Sequence, residues 1–576
     1  MWLINCNDYS LVSNDIDGPN AIPYIILSHT WGNDADEVTF HDMRHAFDYA
    51  IHKKGFEKIQ QTCEIALEAG VMHAWIDTCC IDKSSSAELT ESINSMFHWY
   101  SRAERCVAYL QDLSPSHHQP TLEELRPCRW FTRGWTLQEL IAPQNVDFYD
   151  QNWNLRGTKV DLYPILSDIT SIDPDTLRWP QKLSSVPVAR KMSWAAKRQS
   201  KRIEDTAYCL LGIFGIHMPL IYGERDRAFI RLQEHIAQKN NDMTLFAWCR
   251  DPSEGSGADY AGLFAKHPSA FRECTNIRRL RDPVIPTPSW IITNAGVEMD
   301  TALEWFRDES VEFQYGYRLY LHCTYAGIDF DDSNDIPVLS IWLRKTKSGY
   351  LRFDPGKLCL TSLSEMRFGQ STRIRIAATL GDREIGDVIP FYQPQSHLLN
   401  SAISFEWQDE VPDVRFTRSF HPQHLWDENQ LCFFTSSSPR FIALMEIEMR
   451  SLTNDPAVWE DTCWLVCGLH LNAIDFSAAG GDRSPRPWVM VLRQTDGGSI
   501  EGLEGYTRKE IVNPFSLSTI GYNLRDRFIP ESPTAGDCIF EYRTGAYLNV
   551  SARILSRAEQ LERGRTILIS ATHFQL

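Results

Sequence analysis

At 576 residues the chain is too long for one hydrophobic core, and its size fits about three or four domains. Its 75 acidic and 57 basic residues give a formal net charge of −18. That balance argues against a nucleic acid or an anionic membrane surface as the main partner. The start, MWLINCNDYS, has no basic stretch followed by an apolar one, so no secretory signal is expected. The longest apolar run, 207–222, contains His217 and Pro219 and is too short to span a bilayer. The 15 cysteines are scattered without a CxxC pair, which supports neither a zinc knuckle nor a redox dithiol. A cytoplasmic protein with reduced, buried thiols and no resident metal or cofactor is expected.

In chain order, YIILS (24–28) is a short apolar strand that ends in the polar loop HTWGND. Residues 40–69 carry helical spacing, and Gly70 follows as a stop signal. Residues 74–76 form a second strand leading into DTCCIDKSSS. Residues 86–102 form a capped amphipathic helix with Ile93, Met96, Phe97 and Tyr100 as its apolar stripe. CVAYL (106–110) is a third strand, followed by a polar insert to 126. The run WFTRGWTLQELIA (130–142) then forms a helix that Pro143 ends, and a strand follows at 145–149. Alternating strands and helices imply a parallel sheet with helices on both faces, and ligands bind where loops leave its carboxyl ends. Those loops are 28–33, 77–86 and 111–135.

Residues 151–245 read as a helical extension. From 246 the sequence turns to short aromatic and β-branched segments, an all-β, sandwich-like signature. A weak internal repeat pairs AGIDFDDSNDIPVLSIWLRKT (326–346) with NAIDFSAAGGDRSPRPWVMVLRQT (472–495), which suggests two modules, 246–400 and 401–576.

Trp135 and Glu139 stand four apart, which on a helix puts a ring and a carboxylate on the same side. The strand just after Pro143 places that carboxylate near the edge of the sheet. Such a pair can hold a sugar and stabilise a developing cation, or simply sit salt-bridged in a packed helix. Asp77 and Asp82 flank a compact loop; either can cap a helix or pair with Lys83, and capping is the expectation. Cys79 and Cys80 have no base at a telling spacing and are expected as structural thiols. His41 and His45 lack the HExxH context of a zinc site. Arg202, Glu204 and Asp205 are expected to tie the helical extension to the first domain by ion pairs.

The runs YIILSHTWG (24–32), VTFHDM (38–43), KKGFEKI (53–59), AWIDTCCIDKSSSAELTESINSMFHWY (74–100) and RWFTRGWTLQELIAP (129–143) resemble fungal heterokaryon incompatibility (HET) domains. RIEDTAYCLLGIFGIHMPLIYGE (202–224) resembles the segment that follows such domains. The resemblance implies a role in non-self recognition and regulated cell death, with an incompatibility partner protein. Neither a GxxxxGK[ST] phosphate loop nor a WD periodicity is present.

HET domains are similar in turn to TIR domains, so the resemblance implies a TIR-like α/β domain over residues 1–150. NAD-cleaving TIR domains carry W-x-x-x-E on the helix after the third strand. Here that implies Glu139 as the catalytic glutamate and Trp135 as a pocket wall. Ser28, His29, Thr30, Trp31 and Gly32 of the first loop, with Asp77 of the second, become substrate contacts. NAD is then the substrate, and self-association through this domain is implied. SHTWG and DTCCID depart from the TIR sequences, so the loop contacts are the weakest part of that transfer. A non-catalytic scaffold that oligomerises through the same surface is the rival reading.

Overall fold

The computed structural model describes residues 1–250 continuously, then 260–280, 287–308, 314–327, 337–346, 349–362 and 371–380, and individual strands from 402 onward. The chain forms two compact units. One comprises 1–304, 317–343 and 352–379, and the other comprises 305–316, 344–351 and 380–576.

The first unit begins with a seven-stranded sheet. Its strands are β1 (Trp2–Asn5), β2 (Leu11–Ser13), β3 (Ile25–His29), β4 (His73–Trp75), β5 (Arg105–Tyr109), β6 (Val146–Tyr149) and β7 (Leu155–Thr158). Their spatial order is β2-β1-β4-β3-β5-β6-β7. The middle four strands run parallel, while β1, β2 and β7 pair antiparallel at the margins. β1, β2 and β7 were not expected: β2 and β7 are short and half-exposed, and β1, though apolar with Leu3 and Ile4 buried, is only four residues long. Every residue of β3 is buried, as expected of a central parallel strand covered on both faces. Chain direction across the sheet reverses between β4 and β5, both neighbours of β3. That arrangement opens a crevice at the carboxyl ends of β3 and β5, where doubly wound sheets bind ligands.

Seven helices connect and flank these strands: α1 (Phe40–His45), α2 (Phe47–Ala50), α3 (Phe56–Glu68), α4 (Ser86–Arg102), α5 (Leu122–Leu125), α6 (Thr136–Ile141) and α7 (Lys159–Thr170). The helical run expected over 40–69 is thus broken into three pieces. Thr39 and Asp42 form a capping box that starts α1, and Gly55 precedes α3 without a side-chain cap. Ser85 caps α4 by accepting from Glu88 N at 3.3 Å. The α4 stripe then buries Ile93, Met96, Trp99 and Tyr100, with Trp99 and Tyr100 edge-on to Trp75 of β4. Short helices dominate from 159 to 239, ending in the amphipathic helix Arg227–Lys239.

Beyond them the first unit turns to antiparallel strands. Gly296–Thr301 pairs with both Trp290–Thr293 and Thr372–Ile376. The second unit has a six-stranded and a four-stranded sheet. They share one apolar core that includes Ile403, Trp426, Phe433, Ile447, Leu465, Val489 and Ile567. A sheet with helices at the N-terminus and strand-rich sheets in the C-terminal half is therefore the observed fold class. The two IDF motifs and polar loops of the repeat lie outside the described residues; the strands that follow them, Pro337–Thr346 and Arg486–Arg493, are present. Among the described residues no helix is long and apolar enough to cross a membrane, and the cysteines are free thiols.

Candidate functional site

Helix α6 is short, and its position is set from outside its own sequence. A 3-10 turn at Arg129–Thr132 precedes it, and segment 198–200 adds a strand-like rung beside that turn. Gln199 N donates to Thr132 O at 2.6 Å, and Gly134 N donates to Gln199 O at 2.9 Å. A Cβ on Gly134 would stand 2.6 Å from Ser200 Oγ and 3.0 Å from Cys209 Sγ, so the two segments approach closely here. Arg198 is buried and donates through Nη1 to Arg133 O at 2.8 Å and to Thr136 Oγ1 at 2.9 Å. Thr136 Oγ1 in turn donates to Trp130 O at 2.5 Å.

That framework delivers Glu139 to the middle strand of the sheet. Ser28 Oγ donates a short hydrogen bond to Glu139 Oε2, and Trp130 Nε1 donates to Ser28 Oγ at 2.8 Å. Glu139 therefore lies over β3 rather than near the sheet edge. The edge expectation followed the chain forward from Pro143, whereas α6 crosses back over the sheet before β6. Glu139 is 6% exposed and Ser28 fully buried. No salt bridge reaches the carboxylate among the described residues. Burial pushes its pKa up to about 8, partly offset by the Ser28 hydrogen bond.

Around this pair the loops after β3 and β4 gather further polar groups. His29 Nδ1 lies 4.0 Å from Asp77 Oδ1, and His29 Nε2 is buried with no hydrogen-bond partner. Burial, aided by the charges of Lys58 and Lys83, holds the imidazole well below its ordinary pKa, so it is neutral. Trp31 Nε1 donates to Asp77 Oδ2 at 2.9 Å, and Lys83 Nζ stands 4.0 Å above the indole. Burial raises the Asp77 carboxyl, with Lys83 opposing. Asp77 thus holds the first loop instead of capping a helix. Asp82 makes a local turn to Ser84 N at 2.9 Å, one residue before the cap Ser85. Thr30 is buried beside His29, and its carbonyl accepts from Lys58 Nζ at 3.4 Å. Gly32 N donates to Glu37 Oε1 at 2.7 Å.

Of the residues singled out from sequence, Ser28 and Glu139 bond directly, and His29, Trp31 and Asp77 form a second linked group. Trp135 goes elsewhere. It faces Asp205, whose carboxyl is raised by burial, with Tyr222 and Trp135 opposing. Among the described residues none of Arg202, Glu204 and Asp205 makes the expected ion pair to the first domain; only Asp205 reaches α6, through Trp135. Glu204 accepts from the N–H groups of Gly223 and Arg225, and Arg202 stacks on Tyr222. Sequence reading missed Trp130, Arg133 and Arg198. Trp130 lay inside the quoted run, whereas nothing in the sequence near Arg198 signals a contact some sixty positions back.

The set is two buried carboxyls with raised pKa values, Glu139 and Asp77, a hydroxyl and an indole that orient Glu139, and a neutral imidazole nearby. It can bind hydroxyl groups and, once ionised, stabilise positive charge. Among the described residues no cluster of histidine, cysteine and acidic side chains suits a metal ion.

The profile of the family described as heterokaryon incompatibility protein (HET) matches residues 24–126, which include the loops after β3 and β4 but stop before Trp130 and Glu139. The chain is 42% identical over 232 residues to the vegetative incompatibility protein HET-E-1 of Podospora anserina, a match covering 39% of this chain and 17% of that protein. The chain thus spans about a sixth of the length of this curated relative. No solved structure matches. The chain carries a heterokaryon incompatibility (HET) domain.

Proposed function

We propose that this chain acts in heterokaryon incompatibility, and that its HET domain, read as TIR-like, triggers cell death by cleaving the nicotinamide–ribose bond of NAD. The observation that carries the reading is Glu139, a carboxyl with a pKa of about 8 held by Ser28 over the central strand of a doubly wound sheet.

In this reaction the C1′–N bond breaks and its electron pair neutralises the pyridinium ring, so the leaving group needs no proton. Ionised Glu139 grips the ribose hydroxyls and stabilises the oxocarbenium-like cation. Water adds to C1′ and loses its proton to solvent. Ser28 and Trp130 fix the carboxylate, and neutral His29 offers a hydrogen-bond partner without repelling the cation. The positive charge of bound NAD favours ionisation of Glu139. The test is nicotinamide release from NAD by the full chain at high protein concentration, for wild type and Glu139→Gln. Release lost by at least a hundredfold in the variant supports the reading, in line with the loss of one transition-state stabiliser of ~10²–10³.

One observation favours the rival reading, a scaffold that self-associates through the same domain: Glu139 and Ser28 are nearly closed to solvent in the free chain. No release from either protein, even after forced dimerisation, supports the scaffold.

A further inference from the structure

A second concavity lies on the carboxyl side of the same sheet, a cavity of about 460 Å³ bounded by the loop at Gly32–Glu37, the start of α3 and the ends of β5 and β6. That volume lies within the range of small-ligand sites. Its aromatic wall is unusual. Trp153 stacks on Tyr109 with ring centroids 4.1 Å apart and planes within 7°. To do so it takes φ 60°, a left-handed conformation that a bulky residue rarely adopts. A turn built on buried Asp150 holds it there: Trp153 N donates to Asp150 O at 3.0 Å and Asn154 N to Asp150 Oδ1 at 3.1 Å. The Trp153 indole N–H is buried and has no partner among the described residues. Packing alone does not require a strained tryptophan with an orphaned donor.

Opposite this wall stand three lysines. Lys53 Nζ donates to Glu37 O and Asp42 Oδ2, and Lys58 Nζ donates to Glu37 Oε1 and Thr30 O. Lys53 and Lys58 are thereby ion-paired with Asp42 and Glu37, and Lys53 also stands over the Tyr49 ring. An ammonium carries three donors, so Lys58 keeps one unspent. Lys54 is exposed at the rim, and its ammonium has no hydrogen bond or ion pair among the described residues. A flat ring suits the indole wall, and an anionic group suits the Lys54 ammonium and the spare donor of Lys58, although Asp36, Glu37 and Glu57 also line the cleft.

We propose that this cleft binds a nucleotide, its base against Trp153 and Tyr109 and its phosphate at Lys54 and Lys58. The site stands on its own geometry and does not depend on the reading of Glu139. The test is calorimetric titration of the full chain with ADP, with adenosine and inorganic phosphate as separate probes. Wild type, Lys54→Glu, Trp153→Phe and Glu139→Gln are compared. Binding of ADP that weakens at least tenfold in Lys54→Glu and at least fivefold in Trp153→Phe, but is unchanged in Glu139→Gln, supports the site. Lys54 is exposed and its replacement leaves the fold intact, so this arm reads binding alone. Absence of ADP binding at millimolar concentration overturns the proposal. So does ADP binding that is indifferent to both cleft variants, or affinity for phosphate alone equal to that for ADP.

Discussion

Glu139 is chemically defined by what surrounds it rather than by its spacing from Trp135. Desolvation over β3 raises its pKa to about 8, and the Ser28 hydroxyl is the main opposing influence. If the ionised form performs the chemistry, activity on NAD rises with pH and inflects near 8. Ser28→Ala removes a hydrogen bond that favours the ionised form, so the inflexion moves upward and activity at pH 7.5 falls by about tenfold or more. A rate profile over pH 6 to 10 for both proteins checks this; an unmoved inflexion rules out the Ser28–Glu139 coupling. Ser28 and Glu139 were both legible as single residues, through the strand ending and the W-x-x-x-E pattern. Their contact was not, because pairing residues more than a hundred positions apart requires the strand order.

At the scale of elements, α6 is held at both ends by groups it does not contain. Its start is held by Arg198, Gln199 and Asp205. At its far end buried Lys159, the first residue of α7, donates to Ile141 O at 3.4 Å and to Pro143 O at 2.9 Å. Burial lowers the Lys159 pKa from 10.5 to about 7. Between those values the unfolded chain binds more protons, so stability rises with pH there, and the burial cost is fully present below 7. Glu139 acts in the opposite sense. Its folded pKa exceeds the ordinary 4.5, so its contribution is complete below 4.5 and is lost as pH rises through about 8. These two groups predict a stability minimum near neutrality. Melting curves from pH 5 to 10 should show Lys159→Met losing the alkaline rise and Glu139→Gln losing the acid-side fall. Parallel curves for all three proteins contradict the assignment.

Gly212 offers an independent check on packing. A Cβ there would lie 2.0 Å from Phe97 Cβ on α4, with no flexible side-chain tip to yield. Gly212→Ala should cost about 1–3 kcal/mol in denaturant unfolding, as overpacking does; an unchanged midpoint refutes that contact. The α4 stripe, the strands β3 to β6 and the loop order were legible because their apolar periodicity and caps are local. The antiparallel margins and the clamp on α6 were not, since they arise from pairing between distant segments whose own patterns are weak.

In the whole molecule, the segment matched by the HET profile is only part of a folded unit. Residues 24–126 hold β3, β4 and β5, while β6, α6 and the 198–205 clamp lie beyond them. The expected boundary at 150 separates α6 from the 198–205 segment that clamps its start. A fragment of residues 1–150 should lose the cooperative thermal transition of the full chain; a sharp transition at the same temperature would contradict this role for 198–205. The strand-rich half was legible as a class from its aromatic and β-branched segments, but the shared core of its two sheets needed the strand pairings.

The central claim is that Glu139, oriented by Ser28, carries out NAD cleavage in this domain. Initial rates of nicotinamide release by the full chain, measured at pH 6 and pH 9 for wild type and Glu139→Gln, test it most directly. Wild type is expected to release nicotinamide faster at pH 9, and Glu139→Gln at least a hundredfold more slowly than wild type at that pH. Release of equal rate from a folded Glu139→Gln protein would contradict it.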